Sequence, residues 1–198
     1  MTKEQAKAAA LRWLDEATSG GLALGRETTA DLEDRMDHLL DGAVAAVCGR
    51  FPHYAEFLQQ PQPEAETAYL RVVLPEDRQT VTQVRLCTPD GCSLPFSGYR
   101  RVSRGVYTVP ADAGGVLAFT CIRLPQLPGA GAAAKTELDV PADAAVLVPL
   151  RLAADVLTGA DETAALATYL AARYNDMAAA LARRPEADCA AVECVYTQ

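Results

Sequence analysis

The sequence predicts an α+β protein: helices at both ends of the chain, packed as a bundle, with an antiparallel β body (a small sandwich or barrel) inserted between them. Apolar residues recur at three- and four-residue spacing near both ends of the chain, which is the signature of helices with one buried stripe. From about residue 66 to residue 138 the period changes to two, in short runs broken by turn residues. Short strands joined by tight turns favour antiparallel pairing over parallel. The simplest way to bury the stripes of the end helices is against one another.

The first helix is expected over Thr2 to Thr18, with Ala6, Ala10, Trp13, Leu14 and Ala17 on its stripe and Ser19-Gly20-Gly21 ending it. In the second, Thr28 and Asp31 resemble a capping box, and Leu32, Met36, Leu39, Leu40, Ala43, Val44 and Val47 form the stripe. Asp31, Glu33, Asp34, Arg35 and Asp37 are placed on its opposite, polar face, and Gly49 and Pro52 stop it. A short helical turn is read from His53 to Leu58, then a linker at Pro61-Gln62-Pro63.

Strands are expected at Tyr69–Leu74, Val81–Leu86, Gly105–Val109 and Val116–Ile122. Thr88-Pro89-Asp90-Gly91 is a turn, since proline presets its own φ and glycine accepts a positive one. Pro125 to Ala134 reads as an exposed loop. Helix then resumes with Pro141 as a first-turn proline and Val146, Leu147, Leu150, Ala154 and Leu157 as the stripe, with a kink at Pro149. After Gly159, Asp161 caps a last helix whose stripe is Leu166, Tyr169, Leu170, Arg173, Tyr174, Met177 and Leu181, ending at Arg183-Arg184-Pro185. Cys189 to Gln198 reads as a final strand. The expected parts are therefore N-terminal helices over 1–60, a β body over 66–140, closing helices over 141–184 and a tail over 185–198.

Composition narrows the function classes. The chain has 198 residues, 50% hydrophobic and 22% charged, which suits a buried core and argues against disorder. A net charge of -8 argues against a dedicated nucleic-acid binder, whose phosphate contacts need clustered Lys and Arg. Met1-Thr2-Lys3-Glu4-Gln5 runs straight into a polar helix with no apolar signal region. The longest apolar run, Ala142 to Leu157, is interrupted by Asp143, Arg151 and Asp155 and is too short and charged to span a bilayer. The expected location is the cytoplasm, with free thiols.

The residues that could carry chemistry fall into four sets. Cys87/Cys92 and Cys189/Cys194 repeat one spacing, and two such pairs could hold tetrahedral zinc, although zinc knuckles usually leave two residues between their cysteines. Cys87 and Cys92 flank the turn at a separation where oxidant could join them, but ordinary thiols are the preferred reading. His38 and His53 have no serine or cysteine elbow beside them and are read as structural or solvated. Asp34, Asp37 and Asp41 have helical spacing suited to a divalent cation, weighed against a plain solvated face. Arg100, Arg101 and Arg104, in the loop before the Val106 strand, form the one basic cluster and the possible contact for a partner. No glycine-rich phosphate loop is present. No catalytic, cofactor or metal residue is therefore assigned.

The layout resembles the head–tail connector, or neck, proteins of tailed bacteriophages and prophages. The stretch that carries the resemblance runs from Val146-Leu147-Val148-Pro149-Leu150 through Ala153-Ala154-Asp155-Val156-Leu157, breaks at Asp161-Glu162, and continues to Ala172-Arg173-Tyr174. The Asp90-Gly91 hairpin and the Gly105-Val106-Tyr107 strand are similar as well. The resemblance implies a non-catalytic virion structural protein, a ring oligomer that docks between portal and tail and lines a DNA passage. Its partners would be itself and other neck, portal and tail proteins, and it would move from host cytoplasm to virion. Membrane contact and sequence-specific DNA binding are not expected. The alternative from the residues alone is an intracellular binding module, or a metal-dependent enzyme using the cysteine pairs or the second-helix aspartates.

Overall fold

The computed structural model describes residues 1–19, 29–158 and 161–183. Four helices and seven strands follow in order: α1 (Lys3–Ser19), α2 (Thr29–Arg50), β1 (His53–Gln59), β2 (Tyr69–Val73), β3 (Arg78–Cys87), β4 (Ser93–Pro95), β5 (Arg100–Ser103), β6 (Val106–Pro110), β7 (Val116–Arg123), α3 (Leu147–Val156) and α4 (Ala164–Ala182). A single 3₁₀ turn, Asp161–Thr163, leads into α4. The α+β class stands. The expected stop at Gly20-Gly21, the Thr28 cap, the Gly159 break, Arg184-Pro185 and the tail with Cys189 and Cys194 lie outside the described residues.

The chain divides into two compact units, and the division falls inside α2. The helical unit comprises Met1–Ala43, Gly129–Glu137 and Ala142–Gln198, and the β unit comprises Val44–Pro128 and Leu138–Pro141.

In the helical unit α3 packs on both α1 and α4. It is apolar almost all round, and every residue of it but Arg151 and Asp155 is buried. Pro149, not Pro141, is its first-turn proline, because residues 142–146 form turns and the helix starts at Leu147. As its third residue, Pro149 lacks an N–H that would have no partner inside the helix anyway, so no kink is required there. On α4 the buried face is Leu166, Leu170, Tyr174 and Ala178, while Tyr169 and Arg173 are exposed. The expected stripe is thus too wide: Arg173 instead lies over the half-buried Trp13 ring, 5.9 Å from its centroid.

The β unit holds two antiparallel sheets, ordered β1-β7-β3-β4 and β2-β6-β5. Neither closes, so the body is an open pair of sheets and not a barrel. They share one core: Val72 and Leu74 at β2, Tyr107 and Val109 on β6, Val84 on β3, and Leu117, Phe119 and Cys121 on β7. Phe119 is the hub, with the rings of Phe57, Tyr99 and Tyr107 between 5.9 and 6.4 Å away in tilted or edge-on geometry. Strict alternation would send Val81 and Val84 to opposite faces. An irregularity in the β3–β7 register between Val81 and Gln83 shifts the phase, and both pack into the core.

His53–Gln59 is strand β1 and not the helical turn expected from its sequence. Its alternation of half-buried His53, Ala55, Phe57 and Gln59 with exposed Tyr54, Glu56 and Leu58 matches a sheet surface, and β7 supplies the backbone partners from His53–Arg123 to Gln59–Leu117. The β3–β4 connection does form the expected turn: Gly91 donates its N–H to the Thr88 carbonyl at 3.0 Å and has φ +84°.

Candidate functional site

The β2-β6-β5 sheet carries the most distinctive surface. In Tyr69-Leu70-Arg71-Val72-Val73-Leu74, alternation sends Leu70, Val72 and Leu74 into the core, leaving Tyr69, Arg71 and Val73 on the outer face. On β6, Tyr107 and Val109 point inward and Thr108 outward. The register places Thr108 opposite Arg71 on one side and Arg100 on the other. Two arginines therefore flank one threonine in a single row, with backbones about 10 Å apart at two strand spacings. Tyr69, Val73 and Val102 beside them are 64%, 58% and 61% exposed. Isolated exposed apolar residues are ordinary, but three together with arginines resemble the composition of protein interfaces.

Arg100 and Arg101 belong to edge strand β5, not to the loop expected for them, and the β6 ladder recruits them. Arg104 occupies the two-residue turn into β6, where Gly105 has φ +69°. All four arginines are exposed, and among the described residues none makes an ion pair. Arg101 donates only to the Ser103 carbonyl, at 3.4 Å. Among the described residues β5 pairs with β6 alone, so its other edge presents unpaired backbone groups.

A second cluster in the β unit surrounds Asp139. Arg123 donates to both of its carboxylate oxygens at 2.7 Å, and the Gln126 N–H donates to Oδ2 at 2.7 Å. His53 Nε2 lies 3.4 Å from Oδ1 without hydrogen-bond geometry. The Arg123 bonds hold the Asp139 carboxyl down at about 2, against the opposing effect of burial. Cys48 donates its thiol to the Asp139 backbone carbonyl at 3.5 Å, and burial pushes that thiol up to about 11. The raised value keeps this thiol in its protonated, less nucleophilic form at neutral pH. An apolar groove of about 370 Å³, lined by Cys48, Pro52, Ile122, Leu124 and Leu127 among others, lies alongside.

In the helical unit Lys3 is 4% exposed, a rare state for lysine that requires partners. Its ammonium donates to the carbonyls of Ala130 and Ala132 at 2.7 and 3.1 Å and lies 3.2 Å from Asp37. Lys7 reaches the same Asp37 oxygen at 3.0 Å. Burial alone would raise the Asp37 carboxyl, but the bonds from Lys7 and Lys3 outweigh it and hold it below its ordinary value. Asp37 is thus half-buried and paired, not on a free polar face as its position in the helix suggested. The neighbouring Asp41 accepts the Gly129 N–H at 2.9 Å. These contacts pin the 129–137 segment to α1, where the carbonyls of Thr136 and Ala134 also accept the N–H groups of Lys3 and Glu4. The loop expected to be simply exposed is anchored over this half.

The aspartate trio is accordingly dispersed: Asp34 is exposed, Asp37 is neutralised by two lysines and Asp41 holds a backbone amide. Cys87 stands opposite Ser93 in the register, one residue past Cys92, and both thiols are free. Among the described residues no three His, Cys, Asp or Glu side chains converge as a metal site would need. His38 is exposed on α2, and His53 is the half-buried neighbour of Asp139. Arg71, Tyr69 and Val73 were not singled out by the sequence, although the period-two pattern around Arg71 marked its outward face. Among the described residues no helix is long and apolar enough to cross a membrane. No protein-family model matches the chain, and no curated protein matches it.

Proposed function

We propose that this chain acts by docking and not by catalysis, as a structural subunit of an assembly. The observation that carries the reading is the outer face of the β2-β6-β5 sheet, where Arg71 and Arg100, without an ion pair among the described residues, stand beside exposed Tyr69 and Val73. Arginine and tyrosine are the residue types that dominate binding energy at protein interfaces. Those side chains have no task inside the fold, since the core of the β unit is complete beneath them.

The form of assembly that agrees with the chain layout is the head–tail connector of a tailed phage, with helices at both ends of the chain and a β body between them in sequence. In that setting the protein forms a ring between portal and tail, and it passes from the host cytoplasm into the particle. An acidic chain suits a passage wall that must not grip DNA. The test is mass spectrometry of phage particles purified from the induced host. The reading expects this chain in intact particles at a fixed low copy number. Absence from the particles, with the protein plainly expressed in the cell, refutes the phage role.

A further inference from the structure

Charge is divided unevenly between the two units. The helical unit contains 10 Lys and Arg against 18 Asp and Glu, a net charge of -8, while the β unit contains 8 Arg against 8 Asp and Glu and is neutral. The whole excess of negative charge therefore belongs to the helical unit. Within the neutral β unit the charges are not evenly spread either. Arg78, Arg85 and Arg123 are paired with Asp77, Glu56 and Asp139; of the five arginines without an ion pair among the described residues, Arg50 ends α2, and Arg71, Arg100, Arg101 and Arg104 lie around one sheet face and its edge.

A molecule with an arginine-bearing face on one unit and all its net negative charge on the other is complementary to itself in a head-to-tail sense. Like faces would repel: two such sheets brought together would set arginine against arginine. We propose that the outer face of the β2-β6-β5 sheet is the docking site for the acidic helical unit of a second copy of this chain, received at Glu33 and Asp34, adjacent acids that are exposed on α2 and make no ion pair among the described residues. This deepens the docking reading above by naming the partner and both halves of the contact. The donor and acceptor surfaces differ, so the contact is heterologous and each copy can bind two neighbours, one through each unit. Tyr69 and Val73 give the contact an apolar centre, and the arginines around them supply orientation and speed of encounter.

The test uses two full-length variants, with native mass spectrometry and sedimentation as readouts. One carries Arg71→Gln, Arg100→Gln, Arg101→Gln and Arg104→Gln, and the other carries Glu33→Gln and Asp34→Asn. All six side chains are exposed, and circular dichroism checks that each variant keeps its fold. Wild-type protein is expected to form species beyond a dimer in low salt, and each variant alone is expected to associate on the order of tenfold more weakly or worse. Mixing the two is expected to give one-to-one heterodimers that do not grow, since only one intact pair of surfaces remains. Tyr69→Asp, which blocks the same face without touching an arginine, is expected to weaken association as well. Wild-type protein that stays monomeric at about 100 μM in low salt overturns the proposal, given that useful interfaces bind far below that concentration. Unchanged assembly by the arginine variant overturns the choice of face, and heterodimers that fail to appear on mixing overturn the head-to-tail arrangement. The particle measurement is independent of all these outcomes: the chain can be present in virions with its subunit contact elsewhere, or self-associate in this way without being a phage protein.

Discussion

Asp139→Asn should destabilise the β unit by an amount the structure sets. The carboxylate takes two hydrogen bonds from Arg123 and one from the Gln126 N–H, all at 2.7 Å, and its side chain is 24% exposed. Its value falls from 3.8 to about 2 in the folded protein. That difference corresponds to about 2 kcal/mol of folding free energy. Because the folded value is depressed, the contribution is fully present above pH about 4 and disappears as the pH falls toward 2. Asparagine is neutral at every pH and sets an NH₂ group against the guanidinium, so it forfeits one of the paired bonds and strands a half-buried charge. Urea denaturation followed by circular dichroism should therefore show the variant less stable than wild type by about 2 kcal/mol at pH 7. The gap should close between pH 4 and pH 2, where wild type loses the same contribution. Asp37 titrates in the same direction in both proteins, so the difference between them is the informative quantity. A variant as stable as wild type at pH 7, or a gap that stays constant down to pH 2, would refute the assignment of this carboxylate as the anchor of the Arg123 segment.

Three further outcomes are expected. Gly115→Ala would set a Cβ 2.3 Å from the Cys87 carbonyl oxygen, a backbone atom that cannot swing aside, and should cost about 2–3 kcal/mol in thermal or chemical denaturation. Gly91→Ala meets nothing within 4 Å and carries only the strain of φ +84°, about 1 kcal/mol, so the reverse order of the two losses would contradict the register of the β3–β7 pair. Iodoacetamide at pH 8 should label exposed Cys92 rapidly and leave Cys48 unmodified in the native state, because the Cys48 thiol is buried and held near 11; equal labelling by mass spectrometry would show that the Cys48 surroundings are open. Lys3→Met removes the ammonium that joins Asp37 to the carbonyls of Ala130 and Ala132, and should cost about 3 kcal/mol. Proteolysis within 129–137 should become faster in the same variant, and an unchanged cleavage rate would mean that segment is held by its backbone bonds alone.

The parts of the fold legible in the sequence are those in which one local signal acts alone. Hydrophobic spacing marked all four helices, and alternation with turn residues marked β2, β3, β6 and β7. Where two signals compete, the reading failed for a physical reason. His53–Gln59 follows a proline and contains Ala, Glu and Leu, which are helix formers, yet the open edge of β7 offers seven backbone partners that no helical turn could match. Pro141 and Pro149 both suit a helix start, and only tertiary packing decides that the helix begins at Leu147. Tyr169 and Arg173 fit the helical period, but the stripe that α4 can bury is narrower than the one its sequence offers. The arginine cluster was visible as Arg100, Arg101 and Arg104, but Arg71 was not, since it joins Arg100 only through the shared register with Thr108. Likewise Lys3 and Asp37, or Arg123 and Asp139, are pairs made by folding, and nothing in their spacing along the chain foretells them.

Sedimentation velocity of the wild-type protein at low and at high salt tests the docking account most directly. At 0.1 M salt the screening length is about 10 Å and the arginine face can feel an acidic partner, while at 1 M it is about 3 Å and the attraction is confined to direct contact. The account predicts assemblies larger than a dimer at low salt that shift toward monomer as salt rises. A protein that stays monomeric at both salts, or an assembly that tightens as salt rises, would contradict a contact guided by the arginines of the β2-β6-β5 sheet.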